Sequence, residues 1–200
     1  MSDDGGLARD VELLHEVGSL RRVARTWAQF TGAGMANVAE HTLRVAWIAM
    51  AIARREGADA ARCAQLALVH DLAETRTGDV HYLSRMYVER REDEALRDAV
   101  AGTSLEDEAG ALWDEYHEQA SLEARVVKDA DNLDCDLELT ETPDTALVAA
   151  LAPTRARVRD KLHTDTARAL FDAIYAGDPH AWHTGAPNRL TAGDWGDGGG

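Results

Sequence analysis

Lysine is almost missing from this chain: Lys128 and Lys161 are the only two in 200 residues. With 21 basic side chains against 36 acidic ones and a net charge of -15, the sequence lacks the positive field that holds nucleic acid or an anionic membrane surface. The skew toward Arg, Ala, Asp and Glu fits a GC-rich or salt-adapted background and says little about function. Cysteine is equally scarce. Cys63 and Cys135 each fall inside a helical pattern, which excludes a disulfide framework, fits a reducing compartment, and makes both small core residues. No stretch approaches the roughly 18 consecutive apolar residues that a membrane span needs. Met1 to Gly6 is acidic and shows neither a basic segment nor an apolar one of the secretory kind, so the expectation is a soluble, cytoplasmic protein. Strand signals are nearly absent, and so are internal repeats.

What remains is helix. Hydrophobic residues make up 45% of the chain, enough for one domain with a sizeable core, and their spacing is helical almost throughout. The pattern predicts helices over 10–25, 38–56, 59–73, 88–101, 104–117, 121–139 and 154–176. Gly57 is a natural stop for the second, Asp59 a cap for the third, and Ser104 with Asp107 a capping box for the fifth. The expected architecture is all-α: a single bundle of about six to eight helices over 10–177. A flexible segment, 1–9, precedes it, and a Gly- and Pro-rich tail with Trp182 and Trp195, 178–200, follows.

The densest chemistry lies in 66–79, Leu-Ala-Leu-Val-His-Asp-Leu-Ala-Glu-Thr-Arg-Thr-Gly-Asp. An apolar run delivers His70 and Asp71 side by side, with Glu74 one turn on and Asp79 in the loop after Gly78. Burying such a group costs several kcal/mol or more unless a metal or cation compensates. Adjacent residues on one helix diverge by about 100°, so a metal would need ligands from other helices. His41 and Asp131 are the candidates. A His, a His-Asp pair and a distant Asp make a mixed nitrogen and oxygen set suited to Mn, Fe, Co, Ni or Zn, or to Mg. From spacing alone, His41 reads equally as a core histidine, and Asp131 among Asp129, Asp134 and Asp136 reads equally as part of a solvated face.

His41, His70-Asp71 about thirty residues on, and Asp131 behind Val-Lys-Asp-Ala together resemble the HD-domain metal-dependent phosphohydrolases. Glu40-His41, His70 to Glu74, Thr77-Gly78-Asp79 and Leu112 to Tyr116 are similar, more narrowly, to the 5'-deoxynucleotidase branch. The resemblance runs from about Leu13 to about Tyr175. It implies a single HD-domain helical bundle in which His41, His70, Asp71 and Asp131 hold one divalent ion. It further implies Glu74 as the carboxylate that positions or deprotonates the attacking water, and Asp79 as a second acid near the leaving group or substrate. The substrate would be a (deoxy)nucleoside 5'-monophosphate, and a homodimer is implied as well.

In that branch an arginine near the phosphate and a tryptophan near the sugar 2' position precede the metal helix. Arg25 and Trp27 match them, but only Thr26 intervenes where related sequences have the pair adjacent or split by Thr-Gly. Trp27 therefore stands open between sugar contact and core packing. Arg85 is a second candidate anion contact, His81 stands open between phosphate contact and a structural role, and His117 reads as solvated surface. Two other functions compete: a di-iron oxygenase on the same scaffold, with His117 as the only spare ligand, and a catalytically idle nucleotide-binding domain.

Overall fold

The computed structural model describes residues 4–31 and 35–185. Helices α1 (Asp4–Ser19), α2 (Ala28–Thr31), α3 (Val38–Glu56), α4 (Ala60–Val69), α5 (Glu74–Thr77), α6 (Glu92–Val100), α7 (Glu106–Glu118), α8 (Leu122–Glu141), α9 (Thr145–Arg159), α10 (Asp165–Ala176) and α11 (Ala181–Thr184) follow one another. Eight of them have nine residues or more, and among the described residues there is no strand. A lone bridge between Ala24 and Asn37 is the only extended pairing there.

The centre is the α3–α4 hairpin laid against α8. Asn37 caps α3 by accepting from the Glu40 N–H, while the Glu40 carboxylate accepts from the Asn37 N–H. Gly57 ends the helix at φ +75°, a left-handed turn that costs a residue without Cβ little. Asp59 then accepts from the Ala61 and Arg62 N–H groups and starts α4. Val45, Ile52, Leu66, Val126 and Leu133 are fully buried between these helices, with Phe171 of α10 closing the layer. Leu13, Leu20, Leu96 and Trp113 form a second core under α1 and α6. Burying each such side chain contributes about 1.5–3 kcal/mol.

Several boundaries differ from the sequence reading. Helix α1 begins at Asp4, inside the segment expected to be flexible. The Ser104–Asp107 box does not form: α7 starts at Glu106 with no side-chain cap, the Ser104 N–H donates to Asp10, and Glu106 accepts from Gly102. The expected helix over 154–176 is two helices. Pro153 sits inside α9, where its missing N–H reads in sequence as a helix boundary. The break at 160–164 is held by buried Asp129, which accepts from the His163 and Thr164 N–H groups, while the Thr164 hydroxyl caps α10. No helix among the described residues is long and apolar enough to cross a membrane. Trp195 and the rest of 186–200 lie outside the described residues.

Candidate metal centre

Helix α4 stops at Val69, not at Ala73, and the reason is the histidine itself. The His70 ring Nδ1 donates to the Ala67 carbonyl at 2.7 Å, competing with the backbone for that acceptor. The chain then tightens into three-residue turns, with Leu72, Glu74, Thr75 and Arg76 N–H groups bonding back to Val69, Asp71, Leu72 and Ala73. His70 and Asp71 thus stand at a helix end rather than on a continuous face, and Glu74 opens the short α5.

His41 reaches the same point from the first turns of α3. Its Nδ1 donates to Asp134 Oδ2 at 2.5 Å. Asp134 is in turn gripped by the Arg44 guanidinium. Carboxylate and carbonyl oxygens only accept, so the outer nitrogen of each imidazole carries the proton and Nε2 is the ligand atom. The two Nε2 atoms face each other at 3.4 Å. Asp71 Oδ2 lies 3.3 Å from each of them, and Asp131 Oδ1 lies 3.4 Å from His41 Nε2. Among the described residues, one group of three side chains converges closely enough to hold a metal ion: His41, His70 and Asp71. Asp131 stands beside it, its Oδ2 taken by Lys128 Nζ at 2.9 Å and approached by the Tyr116 hydroxyl at 3.4 Å.

The electrostatics fit a cation. Burial opposes charge on His41, yet Asp131, Asp134 and Asp71 draw it well above its ordinary pKa. Burial would raise Asp71, yet the His70 and His41 rings pull it below the usual carboxylate range. Asp131 is held well below that range against its burial by Lys128, His41 and His70. Positive charge is therefore favoured at Nε2, and two imidazoles with two carboxylates suit a divalent ion.

The cluster opens into a cleft of about 450 Å³. Arg25 and Trp27 both line it, despite the shortened spacing. Backbone bonds from Arg25 to Ala36 and from Val38 to Val23 pin this segment to the start of α3. Buried Arg25 places Nη1 3.7 Å from Asp71 and Nη2 3.6 Å from Cys135 Sγ. Its Nε has no partner, and neither does Glu74 Oε2. Two orphaned polar atoms in one cleft mark a place prepared for a ligand. Burial, together with the charges of Asp71 and Asp79, pushes the Glu74 carboxyl up to about 9.

Asp79 lines the cleft as well. Its Oδ2 accepts from the Thr26 N–H at 2.6 Å and the Thr26 hydroxyl at 2.9 Å, tying the loop after Gly78 to the Arg25–Trp27 segment. Trp27 packs on Phe30 and Tyr82, with ring centres 5.8 and 5.7 Å apart. Buried His81 bridges Gln29 Oε1 at 2.7 Å and the Ser84 N–H at 3.2 Å, which locks the aromatic wall in place. His117 stacks on Trp113 at 4.0 Å, donates to its carbonyl, and joins no ligand group. The Arg85 Nε donates to the Val80 carbonyl.

Two sequence readings change. Cys135 is half-buried and lines the cleft against Arg25 instead of filling the core. Asp129, Asp134 and Asp136 are fully buried, so that stretch of α8 is not a solvated face; each has a partner set, Asp136 with Arg155 at 2.6 Å and Tyr175 at 2.7 Å. Asp134, which bonds His41, and Lys128, which pairs with Asp131, are not singled out by the sequence reading. The three-residue step from Asp131 to Asp134, which puts both on one helix face, was the available signal.

Fold and cluster together define an all-α domain built around a histidine and aspartate cluster that could hold a metal ion. The chain belongs to the HD-domain family, whose profile matches residues 17–173. It is 36% identical over 140 residues to the human (Homo sapiens) 5'-deoxynucleotidase HDDC2, covering 67% of this chain and 68% of that protein. The mouse (Mus musculus) protein of the same name is 35% identical over 150 residues, with 72% and 75% covered. Among solved structures, a protein from Pyrococcus horikoshii OT3 superposes with a TM-score of 0.65 at 23% identity, covering 83% of this chain and 96% of the other. A protein from Magnetospirillum magnetotacticum, described as a predicted metal-dependent phosphohydrolase, gives 0.62 at 24% identity, with 86% and 94% covered. Both likenesses concern the fold.

Proposed function

We propose that this protein is a metal-dependent phosphomonoesterase that hydrolyses (deoxy)nucleoside 5'-monophosphates to nucleoside and phosphate. The observation that carries the reading is the pairing of a cation-seeking His41–His70–Asp71 cluster with the unpartnered Arg25 Nε and Glu74 Oε2 in one cleft. The named activity of the HDDC2 relatives supports it.

His41, His70, Asp71 and Asp131 would hold one divalent ion. Such an ion supplies Lewis acidity, lowering the pKa of water and polarising phosphoryl oxygens. The chain's own groups do the rest. Arg25 takes phosphate charge from the Asp71 side. Glu74 accepts the proton of the attacking water: burial, Asp71 and Asp79 raise its carboxyl, and a cation engaging Asp71 would offset one of these causes and bring it down toward neutral pH, where it works as a base. Asp79 fixes Thr26, and with it Trp27, at the wall beside the sugar and leaving group.

The protein acts in the cytoplasm as a homodimer in this reading. Leu43 and Trp47 of α3 and Leu68 of α4, each exposed by 60% or more, support the dimer. The di-iron alternative has less support: His117 lines the cleft, but its Nδ1 is bonded to the Trp113 carbonyl and it is not one of the three converging ligand side chains. The deciding experiment loads chelator-stripped protein with Mn, Co or Mg and offers a panel of ribo- and deoxynucleoside monophosphates. Phosphate release that disappears on chelation and returns with metal supports the proposal; no release from any member with any metal ends it.

A further inference from the structure

Five cationic side chains line the cleft: Arg25, Arg85, Arg90, Lys128 and Arg155. Two are paired with carboxylates outside the metal cluster: Arg155 forms a two-pronged pair with buried Asp136 at 2.7 and 2.6 Å, and Arg90 is paired with Glu92. Arg85 donates its Nε to the Val80 carbonyl at 2.7 Å and is directed at no carboxylate of the cluster. Only Arg25 and Lys128 aim their charge at carboxylates of the metal cluster, Arg25 at Asp71 and Lys128 at Asp131.

Charge then decides the rest. Asp134 is neutralised by Arg44, which leaves the Asp71 and Asp131 carboxylates to match a divalent ion. A phosphate monoester carries a charge of about -1.5 to -2 at pH 7, and Arg25 and Lys128 are the cations set against the two cluster carboxylates. Both carboxylates lie within 3.4 Å of His41 Nε2, so the two cations beside them, Arg25 Nη1 at 3.7 Å from Asp71 and Lys128 Nζ at 2.9 Å from Asp131, border the same cluster. Lys128 also rests over the Tyr116 ring at 5.9 Å, whose hydroxyl shares Asp131 Oδ2 with it. An ammonium has three donors. One is used on Asp131, and the side chain is 36% exposed on the cleft side of α8.

Resting on the phosphomonoesterase reading, we propose that Lys128 is the second phosphate-binding residue of the site. It takes a phosphoryl oxygen from the Asp131 side while Arg25 takes another from the Asp71 side, and it makes the site selective for dianionic phosphate monoesters.

The scarcity of lysine supplies a direct test. Protein labelled with 13C and 15N in lysine shows two side-chain signals, Lys128 and Lys161. In the Zn- or Mg-loaded wild-type chain, added inorganic phosphate is expected to shift the Lys128 signal and leave Lys161 in place. Calorimetry of inorganic phosphate binding should then show Lys128→Met weakened on the order of ten- to a hundredfold, the range of a charged hydrogen bond, with bound metal per chain unchanged and Lys128→Arg within a few-fold of wild type. A silent Lys128 signal overturns the proposal. So does a Lys128→Met protein that loses metal while its loaded fraction binds phosphate normally, since Lys128 would then only position Asp131. Phosphate binding at Lys128 without turnover of any nucleotide would instead defeat the phosphomonoesterase reading.

Discussion

His41 Nδ1 donates to Asp134 Oδ2 at 2.5 Å, and both residues are completely buried. The bond joins α3 to α8 and fixes which nitrogen of the ring faces the cluster. Groups that orient a ligand in this way are worth about 10–100-fold in metal affinity. Asp134→Asn is therefore expected to weaken metal binding by about that factor, since the amide lacks the charge that both His41 and Arg44 require. Competition against a chromogenic chelator measures it; an unchanged affinity would show that His41 is oriented by packing alone.

Glu74 should make the metal-free protein less stable as pH rises. Its folded carboxyl titrates at about 9 against an ordinary 4.5. Between those values the unfolded chain has released a proton that the folded chain retains, so raising the pH favours unfolding. Glu74→Gln removes this loss. The expected result is a metal-free variant with a higher Tm than wild type at pH 8, a difference that shrinks toward pH 4, and greatly reduced turnover when loaded. Thermal melts across that range decide it, and a difference that ignores pH would place the cause elsewhere.

Trp27 is expected to limit the room beside the sugar. Replacing it by Ala opens the wall it shares with Phe30 and Tyr82, so the ratio of kcat/KM for deoxy- over ribonucleotides should fall toward one. Arg25 and the metal cluster stay in place, so kcat for the deoxy substrate should drop less than the ratio does. A ratio identical to wild type would assign Trp27 to packing.

Much of this protein was legible without coordinates, and the reasons are local. Helix periodicity, the Gly57 stop and the Asp59 cap depend on residues a few positions apart, so the all-α class and the two helices on either side of that turn follow directly. His70 and Asp71 stood out because a buried helix end rarely carries such residues, whereas His41 and Asp131, which spacing alone left open, were singled out by the resemblance to the HD-domain phosphohydrolases. The break after Val69 was not readable, because it depends on a side-chain bond to a carbonyl that competes with a good helical pattern. Nor was the split between α9 and α10, which a buried carboxylate on α8 enforces from more than thirty residues away.

The charge pattern shows the same division. Composition alone determined an acidic chain with two lysines and no positive field of its own. Only the tertiary structure decided which acids act together: it gave Arg44 to Asp134 and Arg155 to Asp136, left Arg25 and Lys128 against Asp71 and Asp131, and buried Glu74 with its Oε2 unpartnered. Apart from Lys128 and Asp131, which are three residues apart in α8, those pairings join different segments of the chain, and a carboxylate's role depends on which cation the fold sets beside it.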